Sequence, residues 1–405
     1  MLDFLSDELR RDPYPLFAQA RSDFPVLHEP GSGMWLLFDY DSVKRALNDH
    51  ESFSSAVETP TGRAPDWLVF SDPPRHSKLR AIVMRAFTPR SIASLEPRVR
   101  ELSRGLLEPV LERGELDLVA DYSAPLPMMV IAELLGIPVE DRQRFMHWAE
   151  VIMTLSYTIS GGEEAAHAMS ENAVVKEEMR AYFDDLAAQR RSAPKDDLLT
   201  RLVEAEVDGE RLTPNEFLGF FQLLLSAGTE TTTNLINNTL LCLLEHPDQL
   251  ARLRAEPRLL PSAIEEVLRY RTPAQMVFRS TKVDVELHGQ VIPAGKLVLV
   301  MVGSANRDAT KFQDADRFDI TRDPNPHIAF GHGIHFCLGA ALSRLEGRVA
   351  LADLLERLKG IQLASTEPWV PRKALNVLGP ARLPLRFEPI RRNPQAGSQA
   401  PEKAV

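Results

Sequence analysis

The sequence predicts a mainly α chain with small β-sheets, and three observations carry that expectation. Amphipathic helical spacing fills most of the long segments between the 30 prolines, which punctuate the chain. Strand-like runs are short and cluster in two places. One segment, from Thr213 to about Leu244, carries a helix start so well marked that a helix crossing the whole domain is expected.

In chain order, Met34 to Phe38 is the first strand candidate. Arg75 to Phe87 follows as an amphipathic helix. Pro125 to Leu135 is another, stopped by Gly136 and Pro138. Gly162 to Arg191 reads as a long, heavily charged helix. Thr213-Pro-Asn-Glu216 is a capping box with Pro214 at the first helical position, and Leu212 and Phe217 stand where a hydrophobic staple would be. The helical pattern then runs until His246-Pro247 ends it, giving a length of roughly 45 Å at ~1.5 Å per residue. Val283 to Leu287, a turn at His288-Gly289, and Leu297 to Met301 suggest a hairpin. Leu338 to Leu358 has helical spacing again.

Composition sets the frame. The chain has 405 residues, 44% hydrophobic and 26% charged, which is globular and sufficient to enclose a sizeable ligand. One domain over residues 1–390 is expected, with a polar tail over 391–405 expected to be disordered. The net charge of −10 argues against a general nucleic-acid binder. Only two cysteines are present, Cys242 and Cys337, so no disulfide framework organises the fold, and a reducing cytoplasm is the expected compartment. The acidic N-terminus does not read as a signal peptide or membrane anchor, and no apolar run reaches the roughly 18 residues of a spanning helix.

The chemistry concentrates in Phe330-Gly-His-Gly-Ile-His-Phe-Cys-Leu-Gly339. Glycines let a backbone fold tightly around a small object. Cys337 stands just before a helix N-terminus, where backbone N–H groups and the helix dipole favour a thiolate. Such a thiolate serves as a nucleophile or as an axial haem ligand.

Phe330, Gly331, Gly333, His335, Cys337 and Gly339 resemble the haem-binding loop of the cytochrome P-450 superfamily at every fixed position. The resemblance implies that Cys337 is the thiolate ligand of a haem b iron and that His335 bonds a propionate. It also implies propionate partners in His76, Arg80 and Arg279. Ala227-Gly-Thr-Glu-Thr-Thr-Thr233 resembles the family's oxygen-activation motif, with Glu230 and Thr231 as its acid and alcohol. Ala227, Glu230 and Thr231 are spaced i, i+3, i+4 and share a helix face. Back-bonding of these threonines to carbonyls one turn earlier is the bland reading and is compatible with the functional one. Glu266 and Arg269 resemble the family's buried ion pair, which Arg317 is expected to complete. Ala315 stands where the family often has a proline.

The implied fold places haem between the long central helix and the Cys337 loop. The implied activity is monooxygenation of an apolar small molecule with O2, its electrons coming from a separate ferredoxin or flavodoxin and an NAD(P)H-dependent reductase. Arg80, Arg85 and Arg344 are expected to give the docking face its positive charge. A peroxide-using peroxygenase, a non-catalytic haem-fold recruitment protein and a cysteine hydrolase are the alternatives; Glu230 and Thr231 argue against the first, and the presence of Thr231 against the second. Segments lining the pocket in similar proteins fall here at Trp67 to Phe70, Leu155 to Ile159, Leu224 to Ala227, Gln275 to Phe278 and Val377-Leu378. Trp67, Leu225, Ala227, Met276, Val277, Phe278 and Leu378 are therefore expected around a fatty acid, terpenoid or steroid. Arg63 is the nearby charge suited to a carboxylate head.

Overall fold

The computed structural model describes residues 6–59, 62–63, 67–154, 163–374 and 376–390. The tail over 391–405 and the pocket segment Leu155 to Ile159 lie outside them.

The central helix spans Pro214–Glu245, 32 residues. It starts with the expected box. Glu216 N–H donates to Thr213 Oγ1 at 3.3 Å, and Thr213 N–H donates to Glu216 Oε2 at 2.9 Å. Arg75 Nε donates to Glu216 Oε1 at 2.6 Å. The cap of the central helix is thereby tied to the first residue of helix Arg75–Ala86. Further along, the helix is buried on nearly every side, because Pro125–Leu134, Arg142–Thr154, Leu260–Tyr270 and Ala340–Arg357 all pack against it. Cys242 sits in this core as a small hydrophobe, and burial pushes its thiol up to about 11.

The β structure is small, as expected. A five-stranded sheet has the order Val26–Glu29, Met34–Leu37, Leu297–Val300, Val277–Thr281, Phe53–Ser54. Leu297–Val300 runs parallel to Met34–Leu37 and antiparallel to Val277–Thr281. This corrects the expected hairpin. The turn at His288-Gly289 does form, with φ of 48° and 73°, the positive values of a tight hairpin turn. It joins Val285–Leu287 to Gln290–Ile292 instead. Pro293 and Gly295 (φ 74°) then break the run and release Leu297–Val300 to the larger sheet.

Glu266 and Arg269 are both fully buried, with side-chain exposures of 0%. Arg269 Nε and Nη2 each donate to Glu266 at 2.8 Å, and Arg269 also donates to the carbonyls of Asn306, Ala315 and Arg317. The second cation on Glu266 is Arg322, whose Nε lies 3.2 Å from both carboxylate oxygens. Arg317, expected there, contributes only its carbonyl, and its side chain is exposed. The turn closed by Arg317 N–H on Asp314 O carries that side chain outward, and the returning chain brings Arg322 over the acid.

Candidate active site

A cavity of about 250 Å³ lies between the central helix and the cysteine loop. The loop is shaped by Gly331 and Gly333, at φ 74° and 69°, values that strain any residue with a Cβ. Cys337 N–H donates to Phe330 O at 2.9 Å and closes the loop. Helix Ala340–Arg357 follows at once. Cys337 is open to the cavity and otherwise enclosed by protein. That enclosure pushes its thiol up; the N–H groups of Gly339 and Ala340, with Arg80 and Arg344, pull in the other direction without reversing it.

Beside the cysteine stand two imidazoles. The rings of His76 and His335 have centroids 4.1 Å apart. Both ring nitrogens of His76 and Nε2 of His335 are buried without a hydrogen-bond partner among the described residues. Burial, then Arg80, holds His76 down at about 4, against an opposing pull from Asp72. Burial, His76 and Arg279 hold His335 at about 3. Arg279 is buried, brought down to about 10 by that burial, and donates Nη1 to Phe278 O at 2.7 Å. Arg80 donates Nη2 to Phe336 O at 2.7 Å. Orphaned imidazole nitrogens among two guanidiniums make a receptor for an anion. A carboxylate arriving there supplies the missing acceptors. The donor set thus fits the propionates of a haem, which His76, His335, Arg80 and Arg279 would hold beside Cys337.

The opposite wall is the central helix. Leu224, Ala227, Gly228 and Thr232 line the cavity. A Cβ on Gly228 would meet Ile131 Cδ1 at 2.7 Å, so this residue sets how closely the neighbouring helix approaches. Thr231 is expected on the same stripe by helical spacing, but the threonine that lines the cavity is Thr232; the Thr231 hydroxyl donates to Ala227 O at 2.6 Å, the back-bond anticipated from sequence. Glu230 is 6% exposed, and burial raises its pKa against the pull of Arg372.

Several expected pocket residues stand elsewhere. Leu224 takes the place assigned to Leu225, which is fully buried in the main core about 100° further round the helix. Met276 and Leu378 pack in a separate small core with Tyr14 and Phe17. Val277 and Phe278 are half-buried strand residues beside Val300 and Leu299. Trp67 donates Nε1 to Gln222 at 3.3 Å, and its neighbours Leu68 and Val69 reach the cavity. Arg63 lies on the short strand Gly62–Arg63, with its side chain outside the described residues.

Sequence reasoning missed Phe87, Phe220, Leu342 and Glu346 in the lining. Glu346 is fully buried, and burial pushes its carboxyl up to about 8. A signal for it existed: Leu338, Leu342 and Glu346 repeat every four residues along one helix face.

The sequence model of cytochrome P450 matches residues 17–382. The chain belongs to the cytochrome P450 family. It is 43% identical over 357 residues to the putative cytochrome P450 YjiB of Bacillus subtilis, covering 88% of this chain and 90% of that one. It is 38% identical to a vitamin D(3) 25-hydroxylase of Pseudonocardia autotrophica, over 96% of each chain. The crystal structure of CYP109E1 from Bacillus megaterium in complex with testosterone superposes with a TM-score of 0.85 at 38% identity, covering 93% of this chain and 99% of that one. The protein is thus a P450 monooxygenase with the P450 fold, and the family implies a haem-thiolate cofactor. No helix among the described residues is long and apolar enough to cross a membrane.

Proposed function

We propose that Cys337 is the axial thiolate of a haem b and that this P450 hydroxylates an apolar small molecule of the fatty acid, terpenoid or steroid class. The observation that carries the reading is the juxtaposition in one cavity of Cys337, the orphaned His76 and His335 nitrogens, and the central-helix stripe around Ala227. The haem, when bound, supplies the centre that activates O2. Cys337 would hold its iron and lend it electron density. His76, His335, Arg80 and Arg279 would hold its propionates. Leu68, Val69, Phe87, Phe220 and Leu224 exclude water and offer apolar surface, worth about 25 cal/mol for each Å² buried. A sugar or small polar acid would lose hydration there without gaining partners. The two relatives whose names carry a steroid or a vitamin D support the same class.

In the overall reaction, substrate, O2, two electrons and two protons give the hydroxylated product and water. Thr231 keeps an oxygen free to accept while its hydrogen is held by Ala227 O. Burial raises the pKa of Glu230, the residue before it, which suits a carboxyl that passes protons on. The electrons come from a separate ferredoxin or flavodoxin with its reductase. Arg80 and Arg85 suit the docking face, beside exposed Met84 and Phe336. Arg344 is a weaker candidate, since Glu265 holds it through two bonds of 2.7 Å.

The reduced, CO-treated protein is expected to show the red-shifted thiolate band, and Cys337→Ser is expected to lose it together with product. A band unchanged in that variant overturns the ligand assignment. Failure of fatty acids, terpenoids and steroids alike to shift the haem spin state overturns the substrate class.

A further inference from the structure

An ion pair stands behind the cysteine loop, outside the cavity lining and apart from the propionate receptor. Arg344, on helix Ala340–Arg357, gives Glu265 two bonds of 2.7 Å, from Nε and Nη2. Its guanidinium lies over the ring of Phe330, 4.4 Å from the centroid. Phe330 opens the cysteine loop, and its carbonyl is the one that accepts from Cys337 N–H. Glu265 is also met by His327 Nε2, at 3.0 Å. Ala329 N–H donates to Nδ1 of that imidazole at 3.3 Å, so the ring hydrogen lies on Nε2 and the ring brings no charge. Burial pushes the Glu265 carboxyl up, but Arg344 and His327 outweigh burial and hold it at about 2. The cluster is thus one guanidinium and one carboxylate, with side chains 35% and 30% exposed.

Arg344 is felt at the cysteine. Against the burial that pushes the Cys337 thiol up, the cations that pull it down are Arg80 and Arg344. A guanidinium keeps its charge throughout the working pH range, and it favours whichever state of a neighbouring group carries more negative charge. Reduction of a thiolate-ligated haem adds one electron to that unit. A bare Arg344 would therefore make the haem easier to reduce, and Glu265, with the opposite charge, offsets it. We propose that Glu265 and Arg344 are a balanced charge pair that sets how readily the haem–thiolate unit accepts an electron, with Glu265 the positioning residue that holds Arg344 over Phe330 and tempers its field at Cys337. This deepens the monooxygenase reading and rests on Cys337 as the ligand. A merely structural pair, tying helix Leu260–Tyr270 to the loop, makes a different forecast: losing either partner then disturbs the loop in the same way.

The test is a potentiometric titration of the substrate-free haem protein as wild type, Arg344→Gln, Glu265→Gln and the double variant, after the thiolate band of each CO complex has been recorded. Arg344→Gln leaves the carboxylate alone, and the equilibrium constant for reduction falls about tenfold, or 59 mV for a one-electron couple. Glu265→Gln leaves the guanidinium alone, and the constant rises by about the same factor. The double variant returns to within about twofold of wild type, as two partners of one pair should. A second readout is the C–O stretch of the ferrous CO complex. It moves down in Arg344→Gln and up in Glu265→Gln, since a weaker thiolate donor leaves less electron density to pass on to CO. Added salt shrinks both single shifts, because the pair is exposed enough to be screened. Shifts of the same sign in the two single variants, or no shift in either, overturn the proposal. If Arg344→Gln does not load haem, Glu265→Gln decides alone: a rise is required, and a fall or no change overturns the pair. A wild type without the thiolate band would sink the ligand assignment instead, so the two failures are told apart.

Discussion

Two polar clusters in this molecule have similar ingredients and opposite bookkeeping. Around Glu266, both carboxylate oxygens and every nitrogen of the Arg269 guanidinium have protein partners. Around His76 and His335, three nitrogens have none among the described residues. A closed cluster is finished by the chain alone, so its role is to hold the fold. An open one is finished by something that arrives. Buried charge by itself does not separate scaffold from site; the state of its hydrogen bonds does.

The largest expected effect is at the closed cluster. Glu266→Ala leaves Arg269 and Arg322 facing a buried gap, a loss of about 3–5 kcal/mol from a typical stability of roughly 5–15 kcal/mol. Little soluble protein is expected, and a normal yield would break the contrast. Arg322→Ala should cost less, about 1–3 kcal/mol by urea unfolding.

The open cluster should respond in the opposite way. His76→Phe with His335→Phe removes buried polar atoms that have no protein partners, so apoprotein stability holds or rises. Haem release to an acceptor protein quickens about tenfold or more, since charge-assisted hydrogen bonds to propionate are worth about 1.5–3 kcal/mol each. An apoprotein as damaged as Glu266→Ala would erase the distinction.

Acid should sharpen it further. His76 ordinarily titrates near 6.5 and is held near 4 in the fold, by burial first, then by Arg80, with smaller contributions from His50 and Arg279 against Asp72. Between those values the unfolded chain binds the extra proton, so apoprotein stability falls as pH drops from 6.5 toward 4. The slope is at most about 1.4 kcal/mol per pH unit for one group. Haem, by giving the imidazole an acceptor, should flatten it. Equal slopes with and without haem would count against the anion receptor. The smallest effect is expected from Arg317→Ala, within ~0.5 kcal/mol because that side chain is exposed.

Much of this was legible in the sequence, for local reasons. Thr213, Pro214 and Glu216 act within four residues of one another, so the start of the central helix could be placed. The cysteine loop was legible because its glycines are needed by backbone geometry alone. What escaped was decided by partners far along the chain. Arg317 and Arg322 share one loop, and only the path of that loop tells which faces Glu266. Leu224 and Leu225 are chemically alike, and one helical step separates the cavity from the core. Glu346 could have been found only through its spacing to Leu338 and Leu342, because burial is not written at the position it affects.

The central helix is also a partition. Its stripe through Leu224, Ala227 and Gly228 lines the cavity, while Leu225 and Ile236 pack into the main core on the other side. A helix repeats every 3.6 residues, so adjacent letters of the sequence belong to different rooms. Mutations that reshape the first room need not disturb the second. An enzyme walled in this way can change what it accepts while the rest of its machinery is inherited intact, and directed evolution for new substrates has its natural targets at residues 224 and 227.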